Sequence, residues 1–386
     1  MENDRTKKDR KKSGIYVDFL MLLTVLVLIA IGMVMQYSIQ AFRGSEAETG
    51  IIAALGIQFI ATILGLAVMI AVAFVPIAMY KKVDWIWYLI GFLPLFLLFT
   101  PLAKTENGAT RWLNLFGVSV QVAEISKIAM MFFYATFLCK IKLDNIKGFL
   151  IALFTPAPMF LGVLLISNNL SSAIIIYGIC VVMLCIACPK KSYVFGLIAI
   201  IVLAFFGLLG GILLFLDPQD WQDDFRILRV FAWADPESYS SGKGYQVMQA
   251  LYAIGSGGLF GKGIGKSIQK LEYMPEAEND MIFAVLCEEL GAFGGFVVLV
   301  LFAFMIFRFL NVVNHAKDLY SALLATGIMA HFSIQVVLNI AVATNLIPNT
   351  GVSLPFISDG GSAMVFLLIE VGLMMAIARE GTKRKS

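Results

Sequence analysis

The chain is 386 residues long, 60% hydrophobic and only 14% charged, with a mean hydropathy of +0.86. A soluble globule is about half apolar, so this composition excludes one and requires a polytopic membrane protein. The net charge of +3 is small, and the placement of the basic residues carries more information than their sum, because Lys and Arg near span ends record orientation.

Residues Met1 to Ser13 contain Arg5, Lys7, Lys8, Arg10, Lys11 and Lys12, ahead of the apolar run Val17 to Tyr37. That run has the length of a full span and no small-x-small cleavage site follows it, so it is expected to be an uncleaved first helix rather than a signal peptide. Further spans are predicted at Ile51 to Val75, Trp85 to Ala103, Val120 to Leu138, Gly148 to Ile166, Ser171 to Cys188, Tyr193 to Phe215, Met281 to Leu310, Leu319 to Ala343 and Ser362 to Ala378, ten in all. With a cytoplasmic amino terminus, nineteen Lys and Arg fall on the inside against nine on the outside, and Lys127 lies within a span. Both termini are therefore expected in the cytoplasm. The fold class is an all-α polytopic membrane protein: a basic tail over 1–16, one membrane domain over 17–378 and a basic tail over 379–386. Its one large loop, 216–280, faces outward between helices seven and eight.

Cys139, Cys180, Cys185, Cys188 and Cys287 lie in or beside apolar runs, which argues for helix packing rather than a disulfide framework. The only histidines are His315 and His331, so no multi-histidine metal site is expected.

Charges inside spans are candidates for function, because burying them unpaired is costly. Glu124 and Lys127 stand three apart on one helical face: they either neutralise each other or line a polar cavity where Lys127 meets an anionic headgroup. In the outer loop before them, Trp112 suits an interfacial anchor and the Arg111 guanidinium suits phosphate. In Ser167 to Ser172, SNNLSS, Asn168 or Asn169 reads as a helix cap. Gly255 to Ser267, GSGGLFGKGIGKS, fails as a P-loop because Phe260 stands where that motif needs glycine. It reads as a tight backbone bringing Lys262, Lys266 and Lys270 toward a pyrophosphate, or as a flexible solvated turn.

Within Leu271 to Gly291, LEYMPEAENDMIFAVLCEELG, four acidic residues surround Pro275 where a polar loop meets a span. Asp280, at the start of that span, reads by periodicity as an N-cap. The alternative is a general base placed where water, headgroup and low-dielectric wall meet. Glu288, Glu289 and Glu370 are expected to hydrogen-bond inside the bundle. The last outer loop, TNLIPNTGVSLPFISDGGS, is non-helical backbone suited to lining a cavity.

Together GMVMQYS, GATRWLNL with QVAEISK, NNLSSA, YQVMQALYAIGSGGLFGKGIGKSIQK, YMPEAENDMIFAVLCEELG and IPNTGVSLPFISDGGS resemble the SEDS family of peptidoglycan glycosyltransferases, FtsW, RodA and SpoVE, over nearly the whole chain and more nearly FtsW and SpoVE. The resemblance implies polymerisation of lipid II on the outer face of a bacterial cytoplasmic membrane, with undecaprenyl pyrophosphate leaving. It makes Asp280 the catalytic base, overriding the cap reading. It also implies substrate-binding roles for Arg111, Trp112, Gln121, Glu124, Lys127, Asn169, Lys262, Lys266, Pro275, Glu276, Ser358 and Gly360. The chain departs from the family pattern at Asn169, for aspartate, at Glu278, for histidine, and at Asp359, for tyrosine. Asn169 removes the charge that position carries in the family, whereas Glu278 and Asp359 suggest a more acidic cavity leaning on Mg²⁺ or Mn²⁺. The implied partners are lipid II, the nascent glycan strand and a class B penicillin-binding protein, with no nucleic acid. A lipid II flippase and a non-catalytic scaffold for that partner are the rival readings.

Overall fold

The computed structural model describes residues 18–40, 48–106, 109–115, 118–216, 221, 225–239, 243–270, 274 and 276–383. The amino-terminal basic tail, residues 384–386 and Pro275 lie outside the described residues. The long apolar runs fold as helices because, in a lipid core, only an internally bonded backbone leaves no polar group unsatisfied. They are α1 (Phe19–Gln40), α2 (Glu48–Phe74), the short α3 (Ile77–Lys81), α4 (Asp84–Leu97), α5 (Val122–Lys140), α6 (Ile146–Phe154), α7 (Ala157–Ile166), α8 (Leu170–Ala187) and α9 (Lys191–Phe215). After α10 (Phe225–Ala234) and α11 (Lys243–Gly257) come α12 (Ile282–Asn314), α13 (Leu319–Ala343) and α14 (Gly361–Lys383).

Among the described residues nine segments are long and apolar enough to span, with α6 and α7 counted as one, and α4 supplies a shorter tenth. Ten spans were expected, and ten apolar rods are found. The third is shorter than predicted, because the chain leaves α4 at Leu97 and turns into a three-stranded antiparallel sheet that the sequence reading missed. The strands are β1 (Ala103–Glu106), β2 (Ala109–Leu115) and β3 (Val118–Gln121), with Trp112 opposite both Lys104 and Gln121. The predicted loop 216–280 likewise contains two helices, α10 and α11.

Polar contacts gather the span ends into two opposite groups. At one end Arg308 meets Asp18 at 2.6 Å and Lys81 approaches Asp318 at 4.0 Å. There too the Ile77 N–H donates to Glu380 Oε1 at 2.9 Å. At the other end lie the sheet, α10, α11 and the segment 345–360, with Trp233 Nε1 donating to the Asn345 carbonyl at 3.0 Å.

The glycine-rich segment after α11 splices into a break in α12. Gly291 adopts φ 73°, ψ −178°, which opens the helix. The carbonyls and amides freed there are taken up by the segment. Lys262 N donates to Glu288 O and Gly263 N to Glu289 O, each at 2.9 Å, while Ala292 N donates to Gly258 O at 2.8 Å. Gly261, at φ 76°, fits only without a side chain, since a Cβ there would lie 2.2 Å from Glu289 O. The splice anchors the amino-terminal part of α12, next to the turn that carries Asp280.

Candidate active site

Residues 276–281 form a tight turn rather than a helix: Glu276 takes φ 54° and its carbonyl accepts from Asn279 N at 3.0 Å. The turn is held from distant parts of the chain. Gln36 Nε2, on α1, donates to the carbonyls of Glu278 at 3.0 Å and Ile357 at 3.1 Å. Asn339 Nδ2, on α13, donates to Asp280 O at 2.9 Å and Val352 O at 2.8 Å. Ser358 Oγ donates to Asn279 O at 2.6 Å and accepts from Leu354 N at 2.7 Å. With its backbone fixed on three sides, the Asp280 carboxyl has a defined position.

The N-cap reading of Asp280 is corrected by the fold. α12 begins at Ile282, its cap position is Met281, and no side chain caps it. The carboxyl instead turns toward α10 and α11, where Oδ1 accepts from Gln246 Nε2 at 3.3 Å. Asp280 is 6% exposed. Burial first, then the Glu276 carboxylate, raises its pKa from the ordinary 3.8 to about 6, against the pull of Arg229 and Asn349.

Beside this turn lies a cavity of about 410 Å³ lined by Arg111, Gln121, Glu124, Lys127, Asn169 and Arg229, among others. Asp280 is not in its lining. Between them runs the segment Asn349 to Gly351: Arg229 Nη1 donates to Asn349 O at 3.1 Å, and Asn349 Nδ2 donates to Gln246 Oε1 at 2.9 Å. Gly351, at φ 67°, lies so close that a Cβ on it would stand 4.0 Å from Asp280 Oδ2. Arg229 therefore faces both compartments, lining the cavity while its charge acts on Asp280. It was not singled out from the sequence, where its only signal is the three-residue spacing from Arg226 on a short amphipathic stretch. Gln246 and Asn349 were missed too, as isolated amides that carry no pattern, and Asn339 was missed although it continues the four-residue spacing of His331 and Gln335.

The expected site residues divide into two sets. Five line the cavity. Arg111 Nη2 donates to Asn168 O at 2.8 Å, and Asn169 caps α8 by accepting from Ser172 N at 3.0 Å, so the cap reading and the cavity position hold together. Gln121 ends β3 at the cavity wall, and Lys127 meets Glu124 Oε1 at 2.7 Å. The others are elsewhere. Trp112 is half-buried in β2 and outside the lining. Lys262 is committed to Glu288, at 2.6 Å, a carboxylate that also accepts from Ser267 Oγ, while Lys270 pairs with Glu289 at 2.5 Å. Exposed Lys266 is also outside the lining. In this fold the glycine-rich segment uses Lys262 and Lys270 to bind the α12 break. Ser358 clamps the turn, and the Gly360 carbonyl starts α14 by accepting from Met364 N at 2.9 Å. Exposed Glu276 accepts from Asn279 Nδ2 and acts on Asp280 only through its charge. Glu278 and Asp359 are likewise outside the cavity lining.

The family model described as "Cell cycle protein", FtsW/RodA/SpoVE, matches residues 18–383. The chain belongs to the FtsW/RodA/SpoVE family. It is 34% identical over 367 residues to stage V sporulation protein E of Bacillus subtilis strain 168, covering 94% of this chain and 97% of that protein. It is 36% identical over 329 residues to the probable peptidoglycan glycosyltransferase FtsW of Coxiella burnetii, covering 82% and 84%. Among solved structures, a chain from a peptidoglycan synthase complex that coordinates polymerization and crosslinking superposes with a TM-score of 0.75 at 23% identity, covering 95% of this chain and 99% of that one. The rod shape determining protein RodA of Thermus thermophilus superposes with a TM-score of 0.65 at 22% identity, covering 95% and 98%. The FtsW/RodA/SpoVE fold is thus the scaffold on which the Asp280 turn and its cavity are built.

Proposed function

We propose that Asp280 is the general base of a peptidoglycan glycosyltransferase that polymerises lipid II. The enzyme class follows from family membership and from the names of the relatives. In the step proposed, the 4-hydroxyl oxygen of the acceptor GlcNAc attacks the anomeric carbon of the growing strand. Its proton passes to an Asp280 oxygen, and the bond from that carbon to the pyrophosphate oxygen breaks. Undecaprenyl pyrophosphate leaves carrying the electron pair. The observation that carries the assignment is a carboxyl held by a clamped turn next to a cation-lined cavity. A base with a pKa of about 6 is ionised at neutral pH yet basic enough to accept that proton. The departing charge is offset in the cavity by Arg111, Lys127 and Arg229, donors already fixed before the reaction.

The described residues contain no group of three or more His, Cys, Asp and Glu able to hold a metal. In this reading a divalent ion arrives on the pyrophosphate, which would supply most of its oxygen ligands.

The basic residue distribution supports cytoplasmic termini, with Asp280 and the cavity on the outer face. A class B penicillin-binding protein as transpeptidase partner is supported by the fold shared with a chain of a peptidoglycan synthase complex. The test is glycan synthesis from lipid II by the purified chain with that partner. Asp280→Asn is expected to abolish polymer while leaving the complex intact; full activity in that variant overturns the base assignment. A flippase would instead expose lipid II in liposomes and make no polymer.

A further inference from the structure

The face of α13 turned into the bundle carries His331, Gln335 and Asn339 at four-residue spacing, a polar stripe about 12 Å long at the helical rise. Asn339 holds the Asp280 carbonyl and Gln335 lines the cavity. His331, fully buried, makes two contacts: Nε2 lies 3.0 Å from Lys127 Nζ, and Nδ1 lies 2.8 Å from Glu370 Oε2 on α14. The unbroken chain Glu124–Lys127–His331–Glu370 therefore runs from the cavity wall into the bundle. Its last two members take no part in the chemistry proposed above.

Hydrogen-bonding capacity fixes the roles along this chain. A lysine ammonium only donates, so Nε2 facing Lys127 has to be the acceptor. The imidazole is then neutral with its proton on Nδ1, and Nδ1–H has to find an acceptor, which Glu370 supplies. Two of the three ammonium protons are thereby directed to Glu124 and His331. The third is left to the cavity that Lys127 lines. Without His331 the ammonium keeps its partner on its own helix but loses the contact that sets its direction from across the bundle.

We propose that His331 and Glu370 are positioning residues for Lys127: they set the tautomer and the contact that aim its ammonium at the leaving pyrophosphate. This rests on Lys127 serving that group. Aim matters most where charge develops, so its loss should appear in kcat rather than in KM.

The experiment is steady-state polymerisation of lipid II by the full-length protein with its transpeptidase partner, comparing His331→Phe, His331→Gln and Lys127→Met. His331→Phe is expected to lower kcat by about tenfold or more and to leave KM within about twofold. His331→Gln, whose amide offers an oxygen to Lys127 and an N–H to Glu370, is expected to recover most of the loss. In a Lys127→Met background, His331→Phe should cost nothing further. If His331→Phe does not fold, His331→Leu replaces it as the variant lacking the acceptor. Wild-type kcat in either apolar variant while Lys127→Met is inactive overturns the inference, as does a His331→Gln variant no better than them. Full kcat in Lys127→Met overturns the assignment of Lys127 to the leaving group instead, and removes the premise here.

Discussion

The chemistry of Asp280 follows from how little of it reaches water. Its folded pKa of about 6 lies above the ordinary 3.8, so the fold prefers the protonated form. The stabilisation from this group is complete below about pH 4 and is lost as the pH rises through about 6. The interval corresponds to at most about 3 kcal/mol at neutral pH. Asp280→Asn, neutral at every pH, is therefore expected to unfold at a higher temperature than the parent at pH 7.5 while making no glycan. A thermal melt in detergent measures the first and polymer length the second. Activity should follow the ionised base, with kcat/KM falling about tenfold per pH unit below about pH 6; a flat profile across that range is incompatible with the assignment. Arg229 holds the carboxyl down, so Arg229→Met should move this acid limb up by about one pH unit, whereas Arg229→Lys should move it less. At this scale the sequence was legible only where residue type and motif coincided. Asp280 stood out by resemblance, while periodicity favoured a cap that the turn at Glu276 rules out. Arg229 and Gln246 reach the carboxyl from elements that local periodicity did not reveal.

Among the elements, the break in α12 shows why Glu288 and Glu289 stand next to each other. Successive helical residues point about 100° apart. Here one carboxylate takes Lys262, Ser267 and the Ile268 amide, while the other takes Lys270 and the Ser38 hydroxyl. Together they bind the glycine-rich segment to both α12 and α1. Glu289→Leu would leave the fully buried Lys270 ammonium beside an apolar side chain, a change expected to cost about 3–5 kcal/mol. The double variant Glu289→Leu with Lys270→Met should recover most of it. Chemical or thermal unfolding of the two purified variants checks this, and equal losses would show that the pair is not coupled. The helices were readable because an unbroken apolar run has one outcome in lipid. The sheet over 103–121 was not, since its strands are four to seven residues long and lie beside a span whose hydropathy masked them. Nor were the destinations of Lys262 and Lys270. Charge in a glycine-rich outer segment suggested the pyrophosphate, whereas the Glu288 and Glu289 carboxylates beside the break at Gly291 lay nearer.

At the scale of the whole molecule, the two clusters of helix ends turn the charge bias into a test of sidedness. Asp18, Lys81, Arg308 and Asp318 share one end, and Asp280, the cavity and α10 share the other, so a single labelled position on each end reports on every residue there. Ser238 is exposed beyond α10 and Lys142 is exposed between α5 and α6. The positive-inside bias puts Lys142 in the cytoplasm and Ser238 outside. In a variant with the five native cysteines replaced, Ser238→Cys should react with a membrane-impermeant maleimide in intact protoplasts. Lys142→Cys should react only after permeabilisation. The opposite pattern would put Asp280 on the cytoplasmic side, where it could not join sugars already carried across the membrane, and the polymerase reading would fail even with the geometry of the turn unchanged.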